Sequence, residues 1–442
     1  MSGTIAVRRE TKSSWEKRTP VTPDLARKLV AGAGLEVLVQ PSARRVFHDK
    51  EYVRAGATMS DSLSDAAVVV GVKEIPPELI LPGAAYIFFS HVIKGQPYNM
   101  PMLQKMLDLG CTLIDYEKIC DETGRRLIFF GRFAGLAGMI DTLWALGRRL
   151  KTEGFSTPLA DIEPAHAYDS LHEAKRAIRD AGERIASDGL PASLRPMTFG
   201  IAGYGNVASG VREILAELPT RDIAPADLES TLTDPSPRCI YQTTFREEHL
   251  VEPRAAGSAF DLQDYYDHPD GYMPSFEQHL PYLTVLMNCT YWDERYPRLV
   301  TKEQLRTLFA TGSEPRLKVI GDLGCDVEGT IECTLKCTEP SDPVYVYQPQ
   351  TDTIESGVEG NGPVVLAVDI LPAELPREAS QEFSDALARF LPALARADYS
   401  VPFSDLDLPP ELLGAVIVHG GKLTPDFVYL DAHLARSSHR VS

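Results

Sequence analysis

Apolar and polar positions alternate in blocks over the first 130 residues. Short apolar runs at Ile5–Val7, Leu35–Val39, Ala66–Val72 and Tyr86–Phe89 are bounded by Gly, Pro or charged residues and read as buried strands. Between the first two, Thr22 supplies a helix cap. From Asp24 onward, Leu25, Leu29 and Val30 keep a polar–apolar helical rhythm. A loop rich in Pro76, Pro77, Pro82 and Gly83 separates the third and fourth runs. Leu113–Ile114 and Leu127–Phe130 flank a turn at Thr123–Gly124. Strands alternating with helices imply βαβ units and a mostly parallel sheet.

The period then changes. Ala134 to about Lys151 is expected as one long helix, opened by Ala134, Gly135, Ala137 and Gly138 and continued by Leu143, Leu146 and Leu150. Small residues at its start suit close backbone packing. Residues 170–192 read as a solvated helix stopped at Gly189-Leu190-Pro191. A second α/β unit starts at Met197–Ala202 and runs to about residue 360. Within it, residues 219–280 are rich in Pro, Asp and Tyr and are expected as a loop-heavy insertion. Val364–Leu371 is expected as a buried strand. Ser380–Ala395 is expected as a helix that Pro392 kinks or splits.

Several charged residues sit just past these apolar runs, Lys73 after V-V-V-G-V and His91 after I-F-F-S. In parallel α/β sheets, groups that handle ligands gather at the carboxyl ends of strands. Lys73 and His91, with Arg18 and Glu117, therefore form a candidate acid–base site for an anionic substrate. Arg18 and Arg125 are candidates to fork substrate carboxylates. Asp369 falls in a strand expected to be buried, where an aspartate needs a cationic partner.

The segment Phe199-Gly-Ile-Ala-Gly-Tyr-Gly-Asn-Val-Ala-Ser-Gly210 runs from a strand through a glycine turn into a helix. It reads as a dinucleotide fingerprint: Gly203 and Gly205 make the turn and admit a pyrophosphate, and Asn206, Val207 and Ala208 open the helix that faces it. Beyond it, Arg221 is a candidate for a 2′-phosphate, and Asp222 or Asp227 for a ribose diol, so the residues leave NAD against NADP open. Tyr265, Tyr266, Tyr272 and Trp292 read as core or lid.

Composition narrows the setting. The 442 residues allow two or three domains, and a net charge of −18 disfavours a nucleic-acid or acidic-membrane surface. Seven irregularly spaced Cys suggest reduced thiols, and Cys325, Cys333 and Cys337 match no structural zinc pattern, so no metal is expected. No signal peptide and no apolar run long enough to span a membrane is seen. The expectation is a soluble, cytoplasmic protein.

Residues along almost the whole chain carry a resemblance. They include I-A-V-R-R-E at 5–10, W-E-K-R-T-P at 15–20, H-D-K-E-Y-V at 48–53, G-V-K at 71–73 and F-F-S-H-V-I-K at 88–94. L-I-D-Y-E-K at 113–118, A-G-L-A-G-M-I at 134–140, G-N-V at 205–207 and L-P-A-E-L-P-R-E-A-S at 371–380 extend it. In these motifs the chain resembles the lysine–2-oxoglutarate reductase domain of the alanine dehydrogenase/transhydrogenase superfamily, and more distantly fungal saccharopine dehydrogenase. The resemblance implies that Lys73 and His91 are the acid–base pair, that Glu117 sits near the lysine, and that Arg18 and Arg125 belong to the substrate pocket. It further implies that Asp369 tempers that pocket's charge. In the fungal enzymes the glycine turn contains a Cys; here it reads G-Y-G-N-V-A. The chain ends at Ser442 without a saccharopine-cleaving domain, so the implied role is one half of a two-step pathway.

Two Rossmann-like domains with parallel sheets are expected, with a cleft between them and a long connecting helix. One comprises residues 1–135 plus 365–442 and takes the substrate; the other, 136–364, binds the dinucleotide. The implied reaction interconverts L-lysine plus 2-oxoglutarate with saccharopine, using NADPH in preference to NADH. Small-molecule substrates are the expected partners, with no nucleic acid and no membrane, and a homo-oligomer is one option. Another amino-acid dehydrogenase of the superfamily, or a non-catalytic binder of NAD(P) or lysine, are the alternatives.

Overall fold

A computed structural model describes residues 3–310 and 315–438. The chain divides into two compact units, residues 1–130 with 376–442, and residues 131–375.

In the first unit the strands are β1 (Thr4–Val7), β2 (Glu36–Val39), β3 (Thr58–Met59), β4 (Val68–Val70), β5 (Ala85–Phe88) and β6 (Thr112–Asp115). They lie parallel in the order β3-β2-β1-β4-β5-β6. The tail adds Val416–His419 antiparallel to β6, and Lys422–Leu423 beyond it. The sheet is thus mixed, with an antiparallel edge on a parallel body. Helix α1 (Pro23–Ala33) starts as the sequence expects: Thr22 accepts from the Leu25 N–H at 3.3 Å, and Gly34 ends the helix at φ 64°. Helices α2 (Asp49–Arg54) and α3 (Met100–Asp108) supply further crossovers, and α3 buries Met100, Met102, Leu103 and Met106.

Leu127–Phe130 is not a strand; the segment before it closes only an isolated bridge, Cys120 to Arg126. A short apolar run does not by itself specify pairing, and here Ile128 and Phe130 are packed into or against the core by their side chains alone. The tail helix divides at Pro392, into Pro376–Leu387 and Leu391–Arg396. Its first half docks through Ser380 and Ser384, whose hydroxyls accept from the N–H groups of Thr19 and Thr22 at 3.0 and 3.1 Å.

The second unit opens with α4 (Gly131–Thr152) and α5 (Leu171–Asp188), the latter capped by Ser170 and ended by Gly189. β7 (Thr198–Ala202) leads into α6 (Asn206–Leu215). The glycines that open α4 have the expected use. A Cβ on Gly135 would lie 1.9 Å from the Val207 carbonyl oxygen, and one on Gly210 2.1 Å from that of Arg132. Helices α4 and α6 therefore cross backbone to backbone.

The following strands are β8 (Thr220–Asp222), β9 (Ile240–Phe245), β10 (Val251–Pro253), β11 (Tyr272–Pro274) and β12 (Val285–Asn288). Then come β13 (Val319–Asp322), β14 (Val344–Gln348), β15 (Thr353–Ser356) and β16 (Val364–Leu366). The sheet order is β15-β14-β16-β13-β12-β7-β9-β8, with β14 and β15 antiparallel at one edge. Residues 219–280 are therefore not merely an insertion. They contribute β8 and β9 to the sheet, and only the excursion through β10, helix α7 (Glu247–Leu250), helix α8 (Leu262–Asp267) and β11 stands outside it. The weak periodicity reflects strands of three and six residues separated by long polar links. Strand β16 stops at Leu366, short of the expected Leu371. Among the described residues no helix is long and apolar enough to cross a membrane.

Candidate active site and dinucleotide pocket

In the first unit the strand order reverses between β1 and β4, and a parallel sheet opens a crevice at such a point, beyond its carboxyl ends. The residues that leave those ends are Arg8-Arg9-Glu10 after β1, Gly71-Val72-Lys73-Glu74 after β4, and Phe89-Ser90-His91 after β5. The Glu10 side chain is buried, and its carboxylate accepts from the backbone N–H of Val72 at 2.8 Å and of Lys73 at 3.1 Å. Burial pushes this carboxyl up, partly offset by Arg8. Glu10 thus fixes the backbone from which Lys73 projects.

The register then decides who faces whom. Val70 pairs with Ile87. Extended past the strands, that register sets residue 74 against residue 91. Accordingly it is Glu74 that meets His91, with Oε2 3.3 Å from Nδ1, while its Oε1 pairs with Lys12. Burial raises the Glu74 carboxyl, but His91 and Lys12 outweigh it and hold it at about 2. Lys73 is depressed from its ordinary value, first by burial and then by Arg18; Glu16 and Glu74 pull it back. The resemblance implies that Glu117 sits near this lysine; Glu117 lies 3.8 Å from Arg126, its N–H donates to Asp115, and the charges that shift Lys73 most are Arg18, Glu16, Glu74 and Lys12.

His91 sits at φ 49°, a left-handed conformation that a non-glycine residue holds only when its surroundings over-determine it. Asp115, buried at the end of β6, accepts from the Ser90 N–H at 3.0 Å and from the Ser90 hydroxyl. Asn99 donates to the Ser90 and His91 carbonyls at 3.0 and 3.3 Å. Phe89 stacks on the imidazole, with ring centroids 6.3 Å apart. Burial raises Asp115 to about 6, against the pull of its Ser90 hydrogen bond.

Arg18 is buried, but its fork is taken. Nε and Nη2 donate to Glu16 at 2.8 and 2.5 Å, and the guanidinium stacks 4.2 Å from the Phe130 ring centre. Arg125 lies exposed on the turn at 121–125, its N–H donating to Asp121 at 3.0 Å. Sequence reasoning missed Glu10, Glu16, Glu74, Asn99 and Asp115. Glu10, Glu16 and Asp115 were visible inside the motifs R-R-E, W-E-K-R and L-I-D-Y-E, and Glu74 directly follows Lys73; Asn99 carried no signal.

In the second unit the reversal falls between β7 and β12. A cavity of about 490 Å³ opens there, lined by Gly203, Tyr204 and Gly205 from the β7 turn and by Cys289, Thr290 and Trp292 after β12. Arg246 and Glu247 after β9, and Tyr265 and Tyr266 from α8, also line it. Gly203 has φ 100°, and a Cβ there would meet the Cys289 carbonyl at 3.0 Å. A Cβ on Gly205 would meet nothing within 4 Å and would enter open space. Asn206 is exposed, Val207 half-buried and Ala208 buried at the start of α6. A glycine turn with open space before a helix N-terminus fits a pyrophosphate.

Three sequence candidates lie elsewhere. Arg221 and Asp222 are exposed on the edge strand β8, where Asp222 accepts from Gln242 at 2.9 Å. Asp369 is exposed in the turn after β16, so the buried aspartate that needed a cation is not buried: the strand ends before reaching it. Of the aromatic residues, Tyr265 and Tyr272 form a small core with Val251, while Tyr265 and Tyr266 also line the cavity. All seven cysteines are free thiols, and no metal-ligand cluster occurs among the described residues.

This two-sheet architecture is that of the alanine dehydrogenase fold. It superposes on an L-alanine dehydrogenase with a TM-score of 0.62, at 19% identity over 98% of this chain and 99% of that one. It also matches a transhydrogenase from Sinorhizobium meliloti, with a TM-score of 0.57 and 17% identity over 95% of this chain and all of that one. Residues 6–137 match the family Alanine dehydrogenase/PNT, N-terminal domain. More particularly, the chain's homologues are alpha-aminoadipic semialdehyde synthase and saccharopine dehydrogenase. It is 38% identical to the Arabidopsis thaliana alpha-aminoadipic semialdehyde synthase over 97% of its own length and 41% of that protein's. For the mitochondrial protein of Bos taurus the figures are 36%, 96% and 47%. The chain thus spans less than half the length of these curated relatives. With the saccharopine dehydrogenase (NAD(+), L-lysine-forming) of Emericella nidulans it shares 27% identity, over 87% of this chain and 90% of that one.

Proposed function

We propose that this chain is a nicotinamide-dependent oxidoreductase that interconverts L-lysine plus 2-oxoglutarate with saccharopine. The observation that carries the reading is the half-buried Lys73 beside the Glu74–His91 pair at the crevice of the first unit. The names and similarity of the relatives support the choice of substrates.

In this reading Glu74 orients His91 by facing Nδ1, which leaves Nε2 to exchange a proton with the substrate amine. Lys73, depressed by burial and by Arg18, holds a second exchangeable proton. The ε-amine of the substrate lysine loses its proton to this pair, attacks the keto carbon of 2-oxoglutarate, and the carbinolamine oxygen leaves as water. Arg18, with its fork closed on Glu16, acts as a fixed positive charge beside Lys73 rather than as a clamp. Gly203, Gly205 and the start of α6 would hold the pyrophosphate of a nicotinamide cofactor, which when bound would supply the hydride needed to reduce the imine.

We take NADPH as the preferred cofactor and a reducing, cytosolic setting, the latter supported by seven free thiols. The test is absorbance at the nicotinamide band with lysine plus 2-oxoglutarate, run with NADPH and NADH in parallel. Turnover that needs both organic substrates supports the reading; oxidation of cofactor with neither, or with alanine-type substrates alone, defeats it.

A further inference from the structure

The topology of the second sheet moves the position that chooses between NADPH and NADH. In a doubly wound sheet the group that meets the adenosine ribose stands at the carboxyl end of the strand beside the glycine-turn strand, on the side away from the reversal point. Here the neighbour of β7 on that side is β9, although β8 comes first along the chain. The usual count of about 20 residues from the glycine turn therefore selects the wrong strand.

The register makes the difference quantitative. Phe245 pairs with Ala202, so Arg246 stands level with Gly203. Asp222 pairs with Gln242, which pairs with Phe199. Asp222 thus ends three positions short of the carboxyl edge and two strands across. At 3.3 Å per residue and 4.8 Å per strand, that is about 10 Å back and about 10 Å sideways, out of side-chain reach of the turn. Neither Arg221 nor Asp222 lines the cavity, whereas Arg246 and Glu247 both do.

We infer that Arg246 reads the 2′-phosphate of NADPH, and that Tyr204 of the glycine turn holds it in place. The inference rests on the dinucleotide reading of this pocket. The Arg246 guanidinium lies 4.7 Å from the centre of the Tyr204 ring and pairs with no carboxylate among the described residues. Stacked in this way, the planar fork keeps its edge N–H groups free for an anion. The adjacent acid does not cancel it. Glu247 Oε1 accepts from the Tyr266 hydroxyl at 2.7 Å and from the Tyr204 hydroxyl at 3.4 Å, so this carboxylate is committed to the aromatic wall. The other arginine on the cavity, Arg298, is committed too, donating to the Glu328 and Gly329 carbonyls.

The test is calorimetry with 2′,5′-ADP and 5′-AMP on the full chain. The unmodified protein should bind 2′,5′-ADP the more tightly. Arg246→Ala should lower the ratio of the two affinities by about 10- to 100-fold, the usual range for an arginine–phosphate pair. Arg246→Lys should fall between, since it keeps charge and loses the fork, and Arg221→Ala should leave the ratio unchanged. An unchanged ratio in Arg246→Ala, a loss seen instead in Arg221→Ala, or tighter binding of 5′-AMP by the unmodified protein overturns the assignment of Arg246 while the dinucleotide pocket stands. Failure of the unmodified protein to bind either probe, or NADH, overturns the pocket reading itself and this inference with it.

Discussion

Both units carry six parallel strands with one reversal point, and they fill the crevice there in opposite ways. In the first, the chain leaves β1 through Arg8-Arg9-Glu10, and the Glu10 carboxylate takes the N–H groups of Val72 and Lys73 for itself. In the second, the chain leaves β7 through Gly203-Tyr204-Gly205, brings no carboxylate, and leaves about 490 Å³ open. One crevice supplies its own anion and so presents a fixed, desolvated lysine. The other leaves its glycine turn open to an anion from outside. Topology sets where a crevice opens; the first residues past the strand decide whether it is filled by the chain's own carboxylate or left open to an anion from outside.

The largest expected effect comes from breaking the filled crevice at its reactive groups. Lys73→Met or His91→Gln should lower turnover by about 10²-fold or more, the size of an acid–base contribution, with cofactor affinity kept. Steady-state rates with near-normal turnover in both variants would remove the pair from the mechanism.

Next is the open crevice. Gly205→Val should cost about 10²-fold or more in dinucleotide affinity by filling the pyrophosphate space, yet leave the melting temperature near that of the unmodified protein, because its Cβ meets nothing. Gly203→Val should damage both, since φ 100° and the Cys289 carbonyl oppose any side chain, at about 1–3 kcal/mol or more. Calorimetry and thermal melts on the two variants separate a binding glycine from a folding one. Equal melting losses would merge them.

How much of this was readable without coordinates follows the same division. Apolar runs announced β1, β2, β4 and β5 because each is flanked by turn residues. The glycine motif announced β7 and α6 because strand, turn and helix are contiguous. What stayed hidden depends on register and strand order, which are non-local. Lys73 and His91 stand out at strand ends, but only the pairing of Val70 with Ile87 shows that Glu74 is the residue facing His91. Arg221 seemed placed for a phosphate by counting along the chain, and the exchange of β8 and β9 displaces it. Arg18 looked like a free fork because no pattern reveals that Glu16, two residues earlier, closes on it.

A stability comparison sharpens the contrast further. Glu10→Ala would leave two N–H groups and Arg8 without their acceptor in a buried setting, and should cost about 2–4 kcal/mol. Glu247→Ala, at the rim of the open pocket, should cost under about 1 kcal/mol. Urea midpoints measure both, and similar losses would mean that the two crevices do not differ in how their carboxylates are held.

The last expected effect is in pH dependence, and it lies within the filled crevice. Glu74 is held at about 2 against an ordinary 4.5, because His91 and Lys12 outweigh its burial. A carboxyl depressed on folding adds stability that is complete above its unfolded value and is lost as pH falls from about 4.5 toward 2. Asp115 shifts the other way, to about 6 from 3.8, chiefly through burial. Its folded form binds the proton more tightly than the unfolded chain does, so its contribution shrinks as pH rises from about 4 to 6 and is flat beyond. The two slopes oppose each other in adjoining windows, each worth about 2 kcal/mol after allowance for solvent. Glu74→Gln should therefore remove the rise in urea midpoint between about pH 2 and 4.5, and Asp115→Asn the fall between about pH 4 and 6. If Asp115→Asn leaves that fall in place, the aspartate that anchors Ser90 is not the group titrating there.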